Sequence, residues 1–249
     1  MEKQTATVLR QECIADGIYS MWIKTPLANE ACPGQFISVY TNNAARLLPR
    51  PISICETKQD CLRIVYRIAG KGTEEFSRYH ANDPVSILGP LGNGFPLSGE
   101  DAVLIAGGIG IPPMLALAKA LTGKKEIVLG YRSTPFLQDE LSAFGDVILA
   151  TEDGCTGTRG TVMDAIAAHP LSGKVIYACG PIPMLRAVKE YAAAQNIPAW
   201  LSLEERMACG VGACLGCVCE STETDAHSLV NNKRICKDGP VFAASEVIL

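Results

Sequence analysis

Cysteines near the end of the chain carry its plainest chemical signal. Cys209-Gly-Val-Gly-Ala-Cys214-Leu-Gly-Cys217 has the spacing C-x4-C-x2-C, and a further thiol follows at Cys236. This is the plant-type ligand spacing of a 2Fe–2S cluster. Gly210, Gly212, Ala213 and Gly216 have almost no side chain, so the loop can curl tightly and aim backbone N–H groups at sulfur. Zinc also takes four thiolates, but usually as two C-x2–4-C knuckles, whereas here the fourth arrives singly. Buried structural thiols are a second alternative, one that has no need of so many small neighbours. Cys219 makes a fifth cysteine for four ligand places; two residues past Cys217, it reads as a core thiol on the strand leaving the loop.

Two glycine turns form the next signal. Ala106-Gly107-Gly108-Ile109-Gly110-Ile111-Pro112-Pro113 follows a buried apolar run and opens a helical stretch. Glycines there let the backbone approach a pyrophosphate, and the helix N-terminus places N–H dipoles on the anion. Proline in the first helical turn loses no hydrogen bond. The run is not G-x-G-x-x-G with an acid about twenty residues on, and such turns also serve merely to pack a helix on a strand. Cys179-Gly180-Pro181 ends a later apolar run and also precedes a helix. Two turns of this kind at the carboxyl ends of one parallel sheet mark a ligand crevice. Glu152-Asp153, after a third strand, could accept ribose hydroxyls or simply form a solvated loop.

Arg50-Pro51-Ile52-Ser53 starts a strand in the first part of the chain. Arginine can grip a phosphate, and a strand-borne serine can hydrogen-bond the edge of a planar ring. Gly70-Lys71-Gly72-Thr73 leads into a short helical stretch and resembles an anion nest. On composition alone neither outweighs an ordinary hairpin and turn. No hydrolytic constellation appears: His80, His169 and His227 are isolated and read as surface residues, and no serine sits in G-x-S-x-G.

The elements that must hold these residues fall into three regions. Up to about Gly99, short β-rich runs (5–9, 18–24, 35–40, 51–55, 62–68 and 85–88) punctuated by turn residues suggest a small antiparallel barrel or sandwich. From about Glu100 to Ala199, buried-strand runs at 103–106, 127–130, 147–150 and 175–179 alternate with helical stretches at 112–121, 136–144, 162–168 and 184–195. That alternation implies βαβ units and a parallel sheet covered on both faces. From about Leu203 the chain is rich in Cys and Gly with little periodicity, too small to hold a core unaided, so a metal centre would supply part of its stability. The fold class is therefore multidomain, α/β plus β: an antiparallel β-barrel over 1–99, a doubly wound parallel α/β domain over 100–202, and a small cluster-binding subdomain over 203–249.

Composition narrows the partners. The 249 residues include 22 Lys+Arg and 26 Asp+Glu, a net charge of 22 − 26 = −4, with 48% hydrophobic residues. That excludes a disordered chain, and the absence of a basic block argues against nucleic acid or an anionic membrane as main partner. Residues 2–5 include an acid and no apolar run, unlike a signal peptide. The uncharged stretch 102–118 is broken by glycines and prolines and reads as strand, turn and helix rather than a membrane span. Eleven cysteines without an export signal point to metal or redox chemistry in a reducing cytoplasm.

Taken in order, the three regions resemble the ferredoxin-reductase-like flavoproteins, over the whole chain. The stretch Leu203-Glu-Glu-Arg-Met-Ala-Cys-Gly-Val-Gly-Ala-Cys, with Cys236-Lys-Asp-Gly-Pro-Val-Phe242, is similar to the electron-transfer subunits of class B dihydroorotate dehydrogenases. Gly89-Pro-Leu-Gly-Asn-Gly-Phe95 closes the barrel as in relatives. The resemblance implies FAD held by Arg50, Pro51, Ile52 and Ser53, with Val65, Tyr66 and Arg67 on the next strand and Gly72 and Thr73 at its pyrophosphate. It implies NAD at Gly107, Gly108, Gly110, Pro112, Glu152, Asp153, Cys179, Gly180 and Pro181, and a 2Fe–2S cluster on Cys209, Cys214, Cys217 and Cys236. No acid–base side chain is required. The implied partner is an FMN-bearing dihydroorotate dehydrogenase catalytic subunit, in a heterotetramer of two of each, and the implied setting is cytoplasmic pyrimidine biosynthesis. The small subunit of NADPH-dependent ferredoxin oxidoreductases shares the layout and is the alternative; a zinc-stapled binding module would explain the cysteines but not the paired turns.

Overall fold

The computed structural model describes residues 2–224 and 229–249. His227, expected at the surface, lies outside the described residues. Six strands, β1 (Gln4–Ala15), β2 (Ile18–Lys24), β3 (Phe36–Tyr40), β4 (Arg50–Lys58), β5 (Cys61–Arg67) and β6 (Pro84–Leu91), close a barrel in the order β1-β2-β5-β4-β3-β6. Period-two alternation explains it: Met21, Ile23, Leu62, Ile64, Ile37 and Val39 turn inward and are fully buried. Helix α1 (Lys71–Phe76) covers one end, with the Phe76 ring edge-on to Tyr66 at 6.1 Å.

β1 and β4 run well past their apolar runs, because the polar residues beyond remain paired with neighbouring strands. In β4, Ile54 opposes Ile64 and Glu56 opposes Arg63, leaving Cys55 as an extra residue. This bulge turns Cys55 and Glu56 to the same, outer side of the barrel.

The second unit is a sheet of β7 (Ala102–Gly107), β8 (Lys125–Tyr131), β9 (Asp146–Thr151), β10 (Thr158–Arg159), β11 (Val175–Cys179) and β12 (Ala199–Ser202). Four helices accompany it: α2 (Pro112–Ala120), α3 (Gln138–Ser142), α4 (Val162–Ala168) and α5 (Ile182–Gln195). Residues of α2 and α3, among them Met114, Leu115 and Leu141, fill one face, together with Ile18, Cys55, Val65 and Phe95 from the barrel side. Val162, Ile166, Leu185 and Val188 of α4 and α5 fill the other. The sheet is doubly wound. Its order, β10-β9-β8-β7-β11-β12 with one more strand at the edge, reverses between β7 and β11.

In the C-terminal segment, β13 (Val218–Glu220) and β14 (Asn232–Arg234) pair as a hairpin, and β15 (Val241–Ala243) supplies that edge strand. β15 runs antiparallel to β12, with Ser202 opposite Val241 and Leu201 opposite Phe242. Neither strand is evident in the sequence pattern: each is only three or four residues long, although Pro198 and Gly239-Pro240 stand just before them. The link after the barrel is tied into the same segment: Asn93 N–H donates to Gly239 O at 2.6 Å, while Phe95 packs edge-on to Tyr177 at 5.6 Å. Among the described residues, no helix is long and apolar enough to cross a membrane.

Candidate functional site

Ligands of open α/β sheets lie outside the carboxyl ends of strands where the strand order reverses. Here that point is between β7 and β11, whose last residues are Gly107 and Cys179. The turns that follow interlock, since a Cβ on Gly180 would fall 3.1 Å from the Gly107 nitrogen. Gly108 is different: its φ is +53°, and a Cβ there would meet nothing within 4 Å, so its backbone faces open space. Pro112 begins α2 and Pro181 precedes α5; each sets the entry to its helix rather than reaching into the opening.

Against this crevice lies a cavity of about 700 Å³. Its barrel wall is the whole expected flavin set: Arg50, Pro51, Ile52 and Ser53 of β4, Val65, Tyr66 and Arg67 of β5, and Gly72 and Thr73 of α1. Its sheet wall contains Gly110, Cys179 and Gly180. Gly107, Gly108, Pro112 and Pro181 belong to the same turns without lining it. Glu152 and Asp153 stand two strands away beyond β9, about 10 Å at the usual strand spacing. Asp153 is partly committed: it accepts the Cys155 N–H at 3.0 Å, and that bond holds its carboxyl below the ordinary range.

The flavin wall fits an anionic, planar ligand. The Arg50 guanidinium crosses to the start of α1 so closely that a Cβ on Gly72 would fall 2.7 Å from its Cζ. The Thr73 hydroxyl accepts N–H groups of Ala69 and Gly70 at 2.9 and 3.2 Å, which holds the turn in shape. Tyr66 has its ring stacked on Tyr19 and its hydroxyl donated to Gln11. Cys179 is a neutral thiol: burial pushes it up to about 12, against a lowering contact with Ser202.

Leu203, Glu204, Glu205, Arg206 and Met207 also line the cavity, although sequence reasoning assigned them no role. Their position was the available signal, because the chain must travel from the sheet to the first clustered cysteine past this opening.

The cysteine loop sits just beyond. Gly210 and Gly212 take φ of +70° and +84°, which lets the loop turn its N–H groups inward. Val211, Ala213 and Cys214 N–H groups point at Cys209 Sγ at 3.3–3.4 Å, Gly212 N–H at Cys236 Sγ at 3.1 Å, and Gly216 N–H at Cys214 Sγ at 3.4 Å. Burial raises the Cys209 thiol, but the N–H groups outweigh it and bring it down to about 6. Cys236 is pushed up to about 12 by burial and by its neighbour Cys217. Such a nest suits sulfur carrying negative charge, which is what a cluster presents. The thiols fall into neighbouring pairs, Cys209 with Cys214 and Cys217 with Cys236. Among the described residues, no three Cys, His or carboxylate side chains converge as one metal ion would require. The C-x4-C-x2-C spacing with a distant fourth thiol, held in this N–H nest, suits a two-iron group better than a single zinc. Cys219 is separate, on β13, with its thiol toward Lys233 O at 3.6 Å.

Comparison with known proteins agrees with this geometry. Residues 204–248 match the iron-sulfur cluster binding domain of dihydroorotate dehydrogenase B. The electron transfer subunit of dihydroorotate dehydrogenase B (NAD(+)) from Bacillus caldolyticus is 45% identical over 260 aligned positions, covering 99% of each chain. The subunit of the same name from Geobacillus kaustophilus is also 45% identical, again covering 99% of each. Among solved structures, the NADH-dependent reduced ferredoxin-NADP oxidoreductase superposes with a TM-score of 0.88 at 26% identity, covering 98% of this chain and 89% of that one. With barrel, doubly wound sheet and cysteine loop all in place, and identity of 45% across almost its full length, the chain belongs to the electron transfer subunits of NAD(+)-linked dihydroorotate dehydrogenase B.

Proposed function

We propose that this chain carries electrons from the FMN of a dihydroorotate dehydrogenase catalytic subunit to NAD+, through its 2Fe–2S cluster and FAD, in pyrimidine (UMP) biosynthesis. The observation that carries the reading is one shared cavity: its walls are the flavin strands, both nucleotide turns and the segment entering the cysteine loop. Bound there, FAD exchanges one electron or two, and so links a two-electron nicotinamide to a one-electron cluster.

The protein's residues bind and orient. Arg50 and the turn at Gly72 and Thr73 hold the flavin's phosphates, Pro51–Ser53 and Val65–Arg67 its ring. Gly107, Gly108, Gly110 and the Cys179-Gly180-Pro181 turn receive the dinucleotide, with Glu152 and Asp153 toward a ribose. Cys209, Cys214, Cys217 and Cys236 ligate the cluster. The division into 1–99, 100–202 and 203–249 assigns one cofactor to each part. The catalytic partner docks in a cytoplasmic heterotetramer of two of each chain. Identity of 45% to these subunits against 26% to the ferredoxin-NADP oxidoreductase favours this reading over the latter activity.

The test is a reconstitution. The isolated loaded chain reduces artificial acceptors with NADH and does not oxidise dihydroorotate; adding the FMN-bearing catalytic chain creates NAD+-dependent dihydroorotate oxidation. Removing the cluster abolishes that coupled reaction and spares NADH-driven reduction of acceptors that draw on FAD. A cluster-free complex still coupling at full rate would refute the serial path.

A further inference from the structure

On the outer face of the barrel, away from the cavity, lies an ionic knot that no step of the electron path uses, buried at Glu56 and Arg63 and partly exposed at Lys119 and Glu140. Arg63 of β5 is 4% exposed. Its Nη1 donates to Glu56 Oε1 at 2.8 Å and its Nε to Ser20 Oγ at 2.9 Å, both within the barrel. The other partners come from the nucleotide sheet's helices. Lys119, in the last turn of α2, pairs with Glu56 Oε2, and Glu140 of α3 accepts both Arg63 Nη groups at 2.6 and 3.1 Å.

Burying ions is costly, and apolar side chains would join two units at least as well. An ionic contact adds something an apolar one lacks: its geometry is met at one register, and sliding the helix would part Lys119 from Glu56 and leave that carboxylate with Arg63 alone. The β4 bulge at Cys55 is what aims Glu56 outward to receive Lys119.

α2 and β4 lie side by side, and each has one end at the cavity and one at the knot. From the start of α2 to Lys119 is about 10 Å at 1.5 Å per residue. From Ser53 to Glu56 on β4 is also about 10 Å at 3.3 Å per residue. Gly110, just before α2, and Ser53 line the same cavity. We propose that Glu56, Arg63, Lys119 and Glu140 are positioning residues, fixing α2 in register along β4 so that the nicotinamide turn faces the flavin strand at hydride-transfer distance. The inference rests on the functional reading above.

The test uses the full chain loaded with FAD and cluster, mixed anaerobically with NADH. Flavin reduction moves one hydride, with both electrons, from NADH; solvent supplies the one proton that completes the reduced flavin, and NAD+ leaves. Glu56→Gln should keep the flavin and iron content of the wild type. Its limiting rate of flavin bleaching should fall about tenfold while the Kd for NADH changes by less than about threefold. The long-wavelength charge-transfer absorbance of the nicotinamide–flavin pair should weaken in parallel. Glu140→Gln, at the more exposed partner, should act in the same direction more mildly, and it serves if Glu56→Gln does not fold. Unchanged rate and charge-transfer absorbance with only a lower Tm would overturn the proposal and leave the knot a structural staple. A wild-type chain that loads FAD but is not bleached by NADH would instead refute the functional reading.

Discussion

Gly110 meets Cys179 backbone to backbone: a Cβ on Gly110 would sit 2.5 Å from the Cys179 carbonyl carbon and 2.7 Å from the Gly180 nitrogen. The two nucleotide turns are therefore one surface. Gly110→Ala should push them apart, costing about 1–3 kcal/mol of stability, the usual range for overpacking. Thermal melting and NADH titration of the same sample should both change.

Gly108 provides the contrast. Nothing in the protein crowds it, yet its φ of +53° faces open space where the dinucleotide would pass. Gly108→Val should raise the KM for NADH about tenfold or more, combining positive-φ strain of about 1–2 kcal/mol with blocked approach. FAD and iron content should stay intact. An empty flavin site in this variant would contradict the division of labour between the walls.

Arg50 should matter to FAD alone. Removing a charge-assisted hydrogen bond costs about 1.5–3 kcal/mol, so Arg50→Ala should weaken FAD binding roughly 10- to 100-fold. Gly72→Ala should reach a similar result by displacing the guanidinium it touches. Fluorescence titration of deflavinated protein measures both.

For the cluster, Ser at Cys209, Cys214, Cys217 or Cys236 should reduce iron content and the reduced-state EPR signal, whereas Cys219→Ser should preserve them. Loss in Cys219→Ser with retention in Cys236→Ser would reverse the ligand assignment.

Glu56 should give acid sensitivity. Burial raises its carboxyl, but hydrogen bonds from Lys119 and Arg63 outweigh that and lower it below the ordinary value. A lowered folded-state pKa means the stabilisation is complete above the unfolded value and lost as pH falls through the folded one. At neutral pH Glu56→Gln should therefore be destabilised by about 1–3 kcal/mol, the range for weakening hydrogen bonds to charged groups, because Arg63 keeps Glu140 and Lys119 is partly solvated. The gap to wild type should narrow under acid. Paired Tm measurements across pH read this directly.

Much of the architecture was legible because its signals are local. β2, α4 and β11 occupy the runs expected of them, since alternation, a helical stretch and an all-apolar run each report on the residues themselves. The nest around Cys209 was foreseeable for the same reason, glycine and alanine spacing. β12 and β15 were not, because strands of three or four residues are defined by their distant partners. The role of 203–207 at the cavity was hidden likewise, as was the Glu56–Arg63 knot: each depends on long-range docking that no periodicity encodes.

The pairing of Ser202 with Val241 makes the iron-binding segment an insertion between two adjacent strands of one sheet. Its ends are therefore held together by strand pairing rather than by iron, and the entropy of closing that loop is met whether or not the metal is present. Cluster loss and global unfolding become separable events. An iron-free chain should therefore retain its barrel and sheet, with the cluster assembled on a scaffold already folded; circular dichroism and Tm of the chelated protein would check this.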